Sequence, residues 1–229
     1  LLAWLIGNKF KNYTILLLPI IVIIIGGSLG LLVLPYVKAV TGLIGAGIKT
    51  FTLLQPILMG GLMGIAFAVL ICSPISSVGI AAAIGITGIA SGSANLGITA
   101  GAFTLAIMGS SVNSLGTVIA HFFGTPKIQM GNMLEKPILY LPVAISSAIM
   151  GGLGAVFDIQ GTPMSAGFGF SGLVGPLTAY GFMAPGWLSI LSLSCLFVAL
   201  PVLLGYLMKY IFIDKRKLIS ATDLLLKTD

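Results

Sequence analysis

From residue 50 to residue 126 the chain carries no Lys, Arg, Asp or Glu, an uninterrupted run of 77 residues. A water-facing surface needs charges, whereas a charge at the centre of a lipid-facing helix is costly, so a run of this kind marks membrane-spanning segments. Three further runs are charge-free: 12–37 with 26 residues, 137–157 with 21 and 159–208 with 50. About 20 apolar residues cross a bilayer. With 58% hydrophobic and only 7% charged residues, against roughly 25% charged in ordinary soluble domains, the chain lacks a soluble exterior. The fold class expected is all-α, a polytopic transmembrane protein.

Dividing the runs by length gives about six spans: 12–37, 51–71, 74–90, 96–123, 137–157 and 187–208. Ser91-Gly-Ser-Ala-Asn95 reads as a polar break between the third and fourth. Residues 159–186 are charge-free yet hostile to a continuous helix. They hold Gly161, Gly167, Gly169, Gly172, Gly175, Gly181 and Gly186, with Pro163, Pro176 and Pro185 among them. Irregular backbone at membrane depth is tolerated where it is buried in protein or lines a wet cavity, so this segment is expected to be a re-entrant hairpin. The 31 glycines fit helices whose backbones approach closely in lipid.

The positive-inside bias orients the chain. Lys209, Lys215, Arg216, Lys217 and Lys227 place the C-terminus in the cytoplasm of a bacterial cell membrane. Six spans counted back put Lys9, Lys11, Lys127 and Lys136 on the same side, with Lys38 and Lys49 outside. Residues 1–213 form the expected membrane domain and 214–229 a cytoplasmic or membrane-surface tail, either a short amphipathic helix or a frayed end. The opening Leu-Leu-Ala-Trp lacks an initiator Met and a basic leader, and reads as the tail of a helix in a C-terminal portion of a longer protein. Cys72 and Cys195 match no metal or redox spacing and read as small buried apolar residues.

The net charge of +6 does not make a nucleic-acid binder, because the basic residues sit at the ends of apolar runs. No G-x-S-x-G, P-loop, H-E-x-x-H or spaced carboxylate pair is present. The chain therefore has no catalytic motif of its own, and nothing in it calls for a cofactor.

Polar residues that lipid could not cover are the informative ones. In 158–172, Asp158, Gln160, Thr162, Ser165 and Ser171 supply hydrogen-bonding groups, and Phe168 and Phe170 supply flat apolar faces. A sugar or another small polar solute wants that mixture, and interrupted helices are where transporters place substrates. The plainer reading is that Asp158 caps a helix end and the glycines permit packing. His121, the single histidine, is a second substrate-binding candidate; equally, a lone His at a helix end is an interfacial or hydrogen-bonded residue, and with no second ligand beside it a metal site is not expected. Lys127, Glu135 and Lys136 read as loop charges. Asn95 is a further candidate, because Ser73–Ser77 and Ser91–Asn95 could open backbone towards a cavity or be satisfied locally.

Four strings carry a family resemblance: Ser73-Pro-Ile-Ser, Ile86-Thr-Gly-Ile-Ala-Ser-Gly, Gly124-Thr-Pro-Lys-Ile-Gln-Met, and Ile159-Gln-Gly-Thr-Pro-Met-Ser-Ala-Gly-Phe-Gly-Phe-Ser-Gly-Leu-Val-Gly-Pro. The chain resembles the second type of phosphotransferase-system EIIC domain, which includes perfringolysin O regulator-like membrane proteins, over nearly its whole length to about Lys217. The resemblance implies a permease that binds and translocates a sugar, soluble IIA and IIB partners with phosphorylation by IIB, a homodimer, and further helices before residue 1. Sugar-binding EIIC sites use a Glu and a His. Here the matching segment has no Glu, and no motif aligns His121 with that His. The alternative is a membrane-embedded regulator or sensor that keeps the fold without phosphotransfer.

Overall fold

The computed structural model describes residues 22–226, and the chain divides into two compact units, Leu1–Leu43 and Ile44–Asp229. The described residues are mostly helical and contain no strand beyond one isolated bridge, Gly88 with Gly161. Three helices among them are long and apolar enough to cross a membrane: Ile23–Phe51, Pro137–Val156 and Trp187–Lys215. Pro56–Ile71 and Leu115–Gly124 are shorter apolar helices.

Several boundaries depart from the sequence expectation, and the expected span 74–90 is reduced to an eight-residue helix, Ser77–Ile84. Residues 12–21 lie outside the described residues, but the first helix, α1 (Gly27–Phe51), runs on through Lys38. A lysine stem can lie along a helix and carry its ammonium outward, so Lys38 does not end it. The supposed break Ser91–Asn95 lies inside a 21-residue helix, Gly88–Met108. The Ser91 hydroxyl and the Asn95 amide have partners in the 162–169 loop, so they do not open the backbone. The expected span 96–123 stops at Met108 and turns through Gly109–Asn113 before helix resumes at Leu115.

In the unit Ile44–Asp229 the helices are α2 (Pro56–Ile71), α3 (Ser77–Ile84), α4 (Gly88–Met108), α5 (Leu115–Ile119), α6 (Met130–Glu135), α7 (Tyr140–Val156), α8 (Val174–Phe182), α9 (Trp187–Ser194) and α10 (Leu200–Lys209). Helix α4 is central and buried from Ala90 to Met108, packed by α2, α7 and α10. Small residues four apart make this possible: Gly60 and Gly64 on α2, Ser93, Gly97 and Gly101 on α4, Ser147 and Gly151 on α7. A Cβ on Gly64 would strike the Ser147 carbonyl, and one on Gly151 would strike the Gly60 carbonyl. The backbones touch, as small-residue motifs allow in membranes. Ser147 Oγ donates to the Gly97 carbonyl (2.7 Å) and Thr104 Oγ1 to Ser146 Oγ (2.9 Å), tying α4 to α7.

Helix α9 continues into α10 through a π turn, Cys195–Ala199. Pro201 lacks an N–H and its ring crowds the carbonyl four residues back, which the wider turn accommodates. Cys72 is buried as expected. Cys195 is exposed on this apolar helix, a correction; an apolar side chain there needs no protein cover in lipid.

The tail also departs from expectation. It is not an amphipathic surface helix: the long helix ends at Lys215, and 216–226 returns as a strap with one 3-10 turn, Ala221–Leu224. Ile219 and Leu224 are buried. Asn113 Nδ2 and Gln129 Nε2 both donate to the Leu224 carbonyl (2.8 and 2.9 Å), Asn132 Nδ2 donates to the Leu225 carbonyl (3.0 Å), and the Leu226 N–H donates to Asn113 Oδ1 (2.9 Å). Lys136 pairs with Asp223. Partial burial raises the Asp223 pKa, but the bonds from Lys136 and from the Ser220 N–H outweigh it and hold the carboxyl below its ordinary value of 3.8. A depressed carboxylate contributes stability above that ordinary value and loses it as pH falls through the folded one. The unfolding midpoint of the native chain should therefore drop towards that of Lys136→Ala as pH falls below about 4. The gap above that pH is worth no more than about 1 kcal/mol for so exposed a pair. An unchanged gap down to pH 2 would refute the pairing.

Candidate functional site

The Gly-rich segment is held against α3 and α4 by a set of specific bonds. Residues 157–170 run as turns, Ser171–Leu173 is a single 3-10 turn, and α8 follows. Gly88 and Gly161 exchange both backbone bonds (2.9 and 3.0 Å). Ser91 Oγ donates to the Thr162 carbonyl (2.8 Å), Ser77 Oγ to the Gly167 carbonyl (2.8 Å), and the Gly169 N–H donates to Asn95 Oδ1 (3.1 Å). Thr162 and Ser165 bond each other through both hydroxyls. Gly167 has φ +100°, and a Cβ there would lie 2.7 Å from the Val78 nitrogen. Only glycine lets the loop come this close to α3.

Helix α3 itself is bounded by ordinary cap chemistry. The Gly79 N–H donates to the Ser76 hydroxyl (3.0 Å) at its start, and Gly85 ends it in the left-handed conformation at φ +68°.

Where the loop meets the start of α3 there is a cavity of about 410 Å³. Ser76 and Ser77 of the α3 N-terminus, Thr125 and Lys127, and Phe168 and Ser171 of the Gly-rich segment line it. Lys127 Nζ donates to the carbonyls of Ser73 (2.6 Å) and Ile75 (2.9 Å), tying the 125–129 turn to the loop before α3.

The nine sequence candidates separate into groups. Phe168 and Ser171 line the cavity. Asn95, Thr162 and Ser165 belong to the frame that holds the loop. Phe170 packs edge-on to Phe103 (5.5 Å) and against Phe123 (5.4 Å). His121 is 2% exposed; its Nδ1–H donates to the Thr117 carbonyl (2.8 Å), and its buried Nε2 has no partner. Asp158 is exposed at φ +49° and accepts from Gln160 Nε2 (3.2 Å); neither residue lines the cavity. Lys127, Thr125, Ser76 and Ser77 were not among the candidates. The strings Ser73–Ser77 and Gly124–Met130 contained them, but their junction is visible only in the fold.

A second cavity of about 380 Å³, between Phe170, α8 and α9, is walled mainly by Leu173, Leu177, Ile190, Leu193 and Phe197. It offers a polyol almost no hydrogen-bond partners.

The family model described as phosphotransferase system, EIIC, matches residues 1–226. The chain belongs to that family. No curated protein and no solved structure matches it. The family and the apolar helices make this EIIC chain a membrane protein and a sugar-transport component of a phosphotransferase system.

Proposed function

We propose that this EIIC chain binds its solute in the cavity between α3, the 125–129 turn and the Gly-rich loop, and passes it across the bilayer to a separate IIB protein for phosphorylation. The observation that carries this reading is that the helix-hostile segment is built into the wall of a cavity large enough for a monosaccharide. Phe168 offers the ring face a sugar stacks on, while Ser76, Ser77, Thr125 and Ser171 offer hydroxyls. Buried turn backbone of this kind acts as the re-entrant element of the membrane domain.

The orientation follows the same geometry. The strap joins 113–136 to the tail, so Lys136, Lys215, Arg216 and Lys217 gather at one end. The positive-inside bias makes that end, with the C-terminus, cytoplasmic in a multi-pass arrangement. Gln129, which holds the strap, is two residues from Lys127, so the cavity faces IIB. A homodimer is the expected assembly.

Purified protein in detergent should be thermally stabilised by a member of a panel of sugars and polyols. Phe168→Ala and Ser171→Ala should each weaken that binding by about tenfold, since a lost stacking or hydrogen-bonding contact costs about 1–1.5 kcal/mol. Ser192→Ala, on an exposed helix face, should leave it unchanged. Equal affinity in all three variants would refute the site.

A further inference from the structure

Helix α3 has a cavity at each end, and the charge on both is of one sign. At its N-terminal end lies the 410 Å³ cavity with Lys127. At its C-terminal end Ile84, Gly85 and Ile86 border a third cavity, of about 280 Å³, whose charged residue is Lys49. No carboxylate lines either one. Among the described residues the one salt bridge is Lys136 with Asp223, so neither Lys127 nor Lys49 has a carboxylate partner within reach. The sugar-binding Glu that the family resemblance leads one to expect has no counterpart in these walls.

Lys127 is placed rather than merely present. An ammonium has three N–H donors; the Ser73 and Ile75 carbonyls take two and fix the group on the cavity wall. Those carbonyls are dipoles, so the full positive charge is uncompensated and a donor is left over. The first turn of α3 borders the same space and adds the positive end of its peptide dipoles. A neutral sugar hydroxyl gains one charge-assisted hydrogen bond from such a group. An oxyanion gains that bond and, in addition, the attraction of opposite charges, in a partly buried site where screening by salt is weakened.

We propose that the solute is a polyol bearing an oxyanion, a carboxylate or a phosphate, held by Lys127 at the start of α3. This rests on the assignment of that cavity as the solute site. Lys49 at the opposite cavity then favours the same class of solute.

The test is binding to the purified full chain in detergent, comparing neutral hexoses and hexitols with aldonic and uronic acids and with hexose phosphates. Acetate and inorganic phosphate serve as anion-only probes. An anionic polyol is expected to bind at least tenfold more tightly than its neutral counterpart. Lys127→Gln should abolish that preference, whereas Lys127→Arg keeps it. Preference for carboxylates identifies an incoming sugar acid; preference for phosphates alone identifies the phosphorylated product. Neutral sugars binding as tightly as acids in the native chain, a comparison that needs no variant, overturns the proposal and leaves the cavity as the solute site. So does a preference that survives Lys127→Gln. Binding by acetate or phosphate as tight as by any polyol also overturns it, and binding by nothing in the panel overturns both readings.

Discussion

Replacing Gly97 with valine should destabilise the protein by about 3 kcal/mol or more, beyond the usual range for overpacking a core. Gly97 sits where α4 crosses α2, and a Cβ there would lie 2.6 Å from the Gly64 carbonyl oxygen and 2.7 Å from its carbon. The obstacle is backbone, which cannot rotate away as a side chain tip can. The displacement would also pull the Gly97 carbonyl from the Ser147 hydroxyl that ties α4 to α7. One methyl-sized shift therefore opens two of the three contacts in the centre of the unit. Gly61→Ala is the matched comparison: its Cβ meets the Ala148 carbonyl at 3.4 Å, ordinary contact, and the gain in helix propensity is up to about 1 kcal/mol. Loss of the monodisperse species on heating in detergent measures both. A Gly97→Val midpoint equal to that of Gly61→Ala would refute close backbone packing at this crossing.

Much of this was legible in sequence for one reason: lipid leaves few options. Charge-free runs had to be helix or buried irregular backbone, and the density of Gly and Pro in 159–186 marks a segment that is irregular to residue 170 but helical over Val174–Phe182, through Gly175, Pro176 and Gly181. Ser91–Asn95 is ambiguous in sequence because a polar cluster has two uses. It can break a helix, or it can sit within one and bond a neighbouring loop, and the choice depends on where residues 162–169 lie. Lys127 reads as a loop charge in sequence for the same reason: its acceptors, Ser73 and Ile75, are more than 50 residues away in the chain. The apolar spacing of the tail suggests a surface helix, whereas Asn113, Gln129 and Asn132, far upstream, decide its course.

The second large effect is expected at Gly169, and it should fall on binding more than on folding. Gly169 has φ +62°, a conformation that is an outlier for a β-branched residue. A Cβ there would also lie 2.8 Å from the Ile98 Cβ on α4. Valine should lift the loop from α4, breaking the bond to Asn95 and the bond from the Gly175 N–H (3.0 Å). Phe168 and Ser171 flank this point, so the cavity wall moves with it. The α2, α4 and α7 crossings are elsewhere and should hold, leaving a folded protein whose solute affinity falls by more than tenfold. Gly172→Ala separates strain from displacement. Its φ is +57°, yet its nearest neighbour is Val174 at 3.9 Å, so it bears only the left-handed penalty of about 1–2 kcal/mol and should still bind. If Gly169→Val binds as the native chain does, the Gly-rich loop is packing alone and the solute site must lie off its wall.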